Sequence, residues 1–129
     1  MIYVLDTHAL IWFLTNSSRL GKKASKVFDD LRAEIIVPLL VLAEIKFLFA
    51  KRRTKLGLNV VIQGIKKDTR FTIHPLDLTV VEAAPEKLDI HDALICGTAI
   101  IYRDLLNEDV RLVTADKEIT KSKVIETIW

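Results

Sequence analysis

The first strand-like segment constrains the fold of this chain most. Ile2-Tyr3-Val4-Leu5 is a short apolar run with no alternation, ended by Asp6. A strand with one wet face alternates apolar and polar residues, so an unbroken run points to a strand covered on both faces, as in a parallel sheet. Further strand-like segments follow at residues 34–37, closed by Pro38, at 71–75 with partial alternation, and at 110–113, ending at Thr114. Residues 124–128 are a candidate fifth strand.

Helical segments lie between them. Residues 8–14 begin a helix that either Asp6 or Thr7 suits as N-cap. Asn16-Ser17-Ser18 marks a turn, and residues 22–32 place Ala24, Val27, Phe28 and Leu31 on one helical face. A long, very apolar helix is expected over 39–53, others over 59–67, 78–84 (stopped by Pro85) and 91–106, and a short helix or turn over 116–120. Strands alternating with helices make an α/β fold with a mainly parallel sheet. No repeat or linker divides the sequence, so residues 1–129 are expected to form one domain. Ligands of such folds bind outside the carboxyl ends of the strands, where strand order reverses. Asp6 and Asp116 both follow a predicted strand, which sends two carboxylates to that edge.

Composition narrows the chemistry. The only cysteine, Cys96, sits in an apolar stretch, so an internal disulfide and a CxxC zinc site are both excluded and a reducing compartment is expected. The N-terminal segment has no basic leader and carries Asp6 and His8 early, a poor signal peptide. The low-charge run 35–45 is interrupted by Glu44 and is too short to cross a bilayer. A soluble, cytoplasmic protein is the expectation. The net charge is only +2, so an argument for nucleic-acid binding must rest on where the charges sit.

The acidic residues carry the functional signal, and each has a plain structural alternative. Asp6 caps a helix or stands free at a strand end. Glu44 lies in PLLVLAEIKFLFA with Leu40, Val41, Phe47 and Leu48 as its helical neighbours. A carboxylate on such a face needs a partner, a metal or a cleft, the alternative being a salt bridge to a distant lysine or arginine. Asp92 opens the helix DIHDALICGTAIIY, where Asp89 would cap and Asp92 would offset the helix dipole. Asp116 follows LVTA and is again a cap candidate, with Thr114 able to orient a neighbouring carboxylate or simply to favour the strand. Taken together, these acids lie at element ends that an α/β fold brings to one edge, where they would repel without a divalent ion. Mg²⁺ or Mn²⁺ favours such oxygen ligands and stabilises charge on a phosphoryl oxygen, so phosphodiester hydrolysis is the expected chemistry.

The segments LDTHALIW, LAEI, DIHDALICGTA and LVTADKEI, in that order, resemble the PIN-domain nucleases, most of all the toxin subunits of VapBC-type toxin–antitoxin pairs. The resemblance spans essentially the whole chain. It implies a three-layer α/β/α sandwich around a mainly parallel sheet. It also implies an endoribonuclease using Mg²⁺ or Mn²⁺, with Asp6, Glu44, Asp92 and Asp116 as metal-holding catalytic residues and Thr114 and Asp89 in support. Water would displace a ribose oxygen in line and leave a 5′-phosphate. The basic residue usual directly after the Asp92 position is Ala93 here, a departure that bears on substrate or antitoxin contacts. A homodimer and a cognate antitoxin follow from the same resemblance, and the apolar helices are consistent with a buried interface.

For the substrate, Lys51, Arg52 and Arg53 with Lys55 form the clearest basic cluster, supplemented by Lys22, Lys23, Lys26, Lys66, Lys67 and Arg70. They suit RNA phosphates, or, for Lys51–Arg53, a favoured cationic helix C-terminus. His8 and His91 flank the acidic residues, with a structural role as the plainer reading. Trp12, Phe13, Phe47 and Phe49 read as core or dimer interface. Three other functions compete with the toxin nuclease. A phosphotransfer domain fits poorly, since a DxD motif is broken by His8. A non-catalytic interaction module would not need four carboxylates. An RNA-processing nuclease lacks its usual added RNA-binding module here.

Overall fold

The computed structural model describes all 129 residues. Its elements are β1 (Ile2–Leu5), α1 (Thr7–Leu14), α2 (Lys22–Asp29), β2 (Glu34–Pro38), α3 (Leu39–Ala50), α4 (Leu58–Lys66), β3 (Phe71–His74), α5 (Leu78–Ala83), α6 (Ile90–Asp104), β4 (Val110–Val113), α7 (Lys117–Ser122) and β5 (Thr127–Ile128). The strands form one sheet in the order β3-β2-β1-β4-β5, and every pairing is parallel. Parallel neighbours require crossovers, and right-handed crossovers place helices on both faces once the order reverses. The result is the expected α/β/α sandwich.

β1 is the central strand. Val4 pairs with Ile36 on one side and Leu112 on the other. Val4 and Leu5 expose no surface, and neither do Ile35, Val37, Leu112 and Val113. This is why the first run shows no alternation: both of its faces lie under helices. β3, at the edge, keeps partly exposed residues and a partial alternation. Across the sheet, α6 presents Ala93, Cys96 and Ala99, all buried. A Cβ on Gly97 would lie 2.8 Å from the Val80 carbonyl oxygen, so the bare glycine lets α5 seat on α6.

Several boundaries differ from the sequence expectation, each through local backbone chemistry. The second helix stops at Asp29, not at residue 32. Asp30 Oδ1 accepts the Arg32 N–H at 2.9 Å, and the Arg70 guanidinium donates to the Phe28 and Asp30 carbonyls at 2.8 Å each. Leu31, expected on the buried face, is 83% exposed. The long apolar helix ends at Ala50 instead of Arg53. The Arg52 N–H donates to Phe49 O and the Arg53 N–H to Leu48 O, with Arg52 left-handed at φ 59°, which is a Schellman cap built without glycine. The last strand is only Thr127–Ile128, and the short helix runs Lys117–Ser122 with Asp116 as its cap.

Candidate active site

The strand order reverses between β1 and β4, and the backbone beyond both strands carries the first two acids. The Asp6 N–H donates to Val113 O at 3.2 Å, so Asp6 is still tied to the β4 side as the chain turns into α1. Its Oδ1 accepts the Ala9 N–H at 2.9 Å and caps that helix. Asp116 does the same for α7, its Oδ1 accepting the Ile119 N–H at 3.0 Å. Between β4 and Asp116 stands the buried Thr114, whose Oγ1 accepts the Asp116 N–H at 3.0 Å and whose hydroxyl is close enough to the Asp6 carboxylate to favour its charged form. Thr114 therefore links the two aspartates.

Thr7 was the alternative cap for α1, and it serves otherwise. Its hydroxyl donates to Glu44 Oε1 at 2.9 Å. The other oxygen, Oε2, lies 3.5 Å from His91 Nδ1. Glu44, whose side chain is 26% exposed, thus has a threonine and a histidine as partners and no lysine or arginine. Asp92 comes from the first turn of α6. Asp6, Glu44, Asp92 and Asp116, from four separate segments, line one cleft of about 400 Å³.

The electrostatics of the cleft are those of crowded anions. Burial, then repulsion by Asp116, Asp89, Glu44 and Asp6, pushes the Asp92 carboxyl up to about 6. Burial also raises Asp6, against the Thr114 hydroxyl, the hydrogen bond from the Ala9 N–H and the nearby His8. Burial and the same aspartates push the Cys96 thiol up to about 12, which leaves it without thiolate chemistry. No three His, Cys, Asp or Glu side chains surround a common point as a finished cage. The arrangement is an open cleft whose charged groups are four carboxylates, with the His8 imidazole on its wall, and carboxylate oxygens suit a divalent ion that keeps several waters.

The other sequence candidates fall around this cleft. Asp89 is exposed and caps α6 through a long 3.4 Å contact with the His91 N–H; it does not line the cleft, but its charge reaches Asp92. Lys51 and Arg53 line a second hollow of about 520 Å³ that shares Glu44 and Leu48 with the acidic cleft, while Arg52 is not part of it. Arg70 is unavailable to RNA, since it is held at 2.8 Å by Asp68 and is 13% exposed. Phe13 is core, stacked 4.0 Å from Phe28. Trp12, expected as core or dimer interface, does pack against the core and also lines the acidic cleft with His8, their rings 5.2 Å apart. The four-residue spacing of His8 and Trp12 after the Asp6 cap was the sequence signal for this, because it puts both on one helical face.

The family model described as PIN domain matches residues 3–124. The fold is similar to that of VapBC2 from Rickettsia felis bound to a DNA fragment from their promoter, at 17% identity and TM-score 0.67 over 99% of this chain and 98% of that one. It is also similar to a toxin–antitoxin complex from Klebsiella pneumoniae, at 19% identity and TM-score 0.65 over 98% and 96% of the chains. VapBC-1 from nontypeable Haemophilus influenzae gives 20% identity and TM-score 0.65 over 99% and 97%. By sequence the chain matches no curated protein.

Proposed function

Because this chain belongs to the PIN-domain family, whose members are generally nucleases, we propose that it is a metal-dependent endoribonuclease and the toxin of a toxin–antitoxin pair. The observation that carries the reading is the convergence of Asp6, Glu44, Asp92 and Asp116 on one cleft at the reversal of strand order. The charge on Asp92 is held back there by burial and by four other carboxylates. Such a site favours a cation.

In this reading Asp6, Glu44, Asp92 and Asp116 hold one or two Mg²⁺ or Mn²⁺ ions, directly or through water. A bound divalent ion would offset charge on the scissile phosphate and lower the pKa of a water. The chain's own residues set the geometry. The Ala9 and Ile119 amides fix one oxygen each of Asp6 and Asp116. Thr7 fixes Glu44, leaving its second oxygen beside His91 to orient an attacking water. Thr114 keeps the two strand-end aspartates in register. Hydrolysis leaves a 5′-phosphate and a 3′-hydroxyl.

The toxin assignment rests on the similar structures being toxin–antitoxin complexes. A cognate antitoxin is the proposed partner, and the hollow beside the cleft, with Leu40, Phe47, Lys51 and Arg53, offers it apolar and cationic contacts. We place the protein in the cytoplasm as a homodimer, with residues 1–129 acting as one domain; no helix is long and apolar enough to cross a membrane. The test is incubation with labelled single-stranded RNA in Mg²⁺, in Mn²⁺ and in EDTA. Cleavage that needs the metal and yields 5′-phosphate ends supports the reading. A folded protein that binds no divalent ion and leaves every RNA intact refutes it.

A further inference from the structure

We propose that a second pocket, adjoining the acidic cleft at Ala115, is a subsite for the single-stranded RNA flanking the cut. The proposal rests on the nuclease reading and deepens it. Ala115 lines both cavities, so the two adjoin there. The second pocket, about 530 Å³, is lined by Lys23, Arg111, Thr120, Thr127 and Trp129, with one carboxylate, Glu126, beside Arg111. That is nucleotide chemistry: cations for phosphate, hydroxyls for sugar or base edges, and an indole for stacking.

The two cavities are also joined by aromatic rings. His8 and Trp12 line the acidic cleft; Trp12 meets Trp129 edge-on at 5.6 Å, and Trp129 lines the second pocket. A strand of RNA leaving the cleft therefore meets aromatic rings along its path. The cations differ in availability. Arg111 is paired with Glu126 at 3.2 Å, whereas Lys23 belongs to no ion pair, so Lys23 is the free phosphate contact. Trp129 is held by close packing on Gly21, where a Cβ would lie 2.6 Å from the indole Cδ1. A pre-set ring stacks a base with less ordering than a loose one.

The experiment measures binding of single-stranded RNA in EDTA to the whole chain, comparing oligonucleotides of about three and about eight nucleotides, within the range one such groove spans. Trp12 and Trp129 are the only tryptophans, so indole fluorescence reports directly on the ladder. The longer RNA is expected to bind more tightly and to quench the fluorescence. Lys23→Glu and Trp129→Ala should each reduce the long-over-short preference, the tryptophan change by roughly five- to a hundredfold. Gln63→Glu, which also introduces a glutamate, at an exposed position of α4 beside the opposite edge of the sheet, should not change it. Lys23 is exposed, so its variant tests the subsite even if removal of Trp129 impairs folding. A long-RNA preference unaltered by Lys23→Glu, or binding without quenching, overturns the subsite while metal-dependent cleavage leaves the nuclease reading standing. A wild-type chain that neither binds nor cuts RNA overturns both.

Discussion

The Thr7 hydroxyl donates to Glu44 Oε1 over 2.9 Å, tying the start of α1 to the middle of α3 across 37 residues of sequence. One residue earlier, Asp6 caps the same helix. The cap and first residue of α1 thus place one acid and fix another. Thr7→Val keeps the shape and removes the hydroxyl, so the fold should lose about 1 kcal/mol. RNA cleavage should fall by roughly ten- to a hundredfold, as when a group that orients a metal ligand is lost. Thr7→Ser should restore most of the rate. Steady-state cleavage and thermal melts of the three proteins check this.

The crowding of carboxylates makes the metal-free protein sensitive to pH. In the fold Asp92 holds its proton to about 6, above its ordinary 3.8. Between those values the folded chain keeps a proton the unfolded chain has lost. Its contribution to stability is present below the lower value and is lost as pH rises through the higher one. Melting in EDTA should therefore show stability falling between about pH 4 and pH 7. Asp92→Asn should flatten that slope, and Mg²⁺ should reverse it in the wild type.

The basic turn after α3 separates by position. Lys51→Ala and Arg53→Ala should each weaken RNA binding and reduce its salt dependence, since both line the hollow next to the acidic cleft. Arg52→Gly should leave binding nearly intact. It should also hold or raise stability by up to about 1 kcal/mol, because glycine relieves the left-handed backbone at φ 59°. Binding titrations at several salt concentrations, with melts, distinguish the three.

Gly97→Ala tests the packing under the site. The new Cβ would sit 2.8 Å from the Val80 carbonyl, a backbone atom that cannot swing aside. A loss of about 1–3 kcal/mol is expected, read as a lower denaturation midpoint.

The layered fold was legible because its signals are local. The unbroken run Ile2–Leu5 reported a strand buried on both faces, and the helical periods reported their own elements. The element ends were less legible where residues distant in sequence decide them. Leu31 lies outside α2 because the chain turns at Asp30, which Arg70 grips from 40 residues away. The acidic residues posed a choice, cap or site, that dissolves in three dimensions. Asp6 and Asp116 each engage Oδ1 with a backbone amide and still line the cleft. The Thr7–Glu44 bond and the junction at Ala115 had no signature, since no spacing along the chain encodes which loops meet.

The central claim, that the four-carboxylate cleft holds the metal that cuts RNA, is tested most directly by pairing two readouts on wild type and Asp92→Asn. These are Mn²⁺ binding followed by its electron-spin signal, and cleavage of a labelled single-stranded RNA. The account predicts that the wild type binds Mn²⁺ and cuts, and that the folded variant loses both together. An Asp92→Asn protein that cuts RNA at the wild-type rate, or a wild type that cuts without binding any divalent ion, would contradict it.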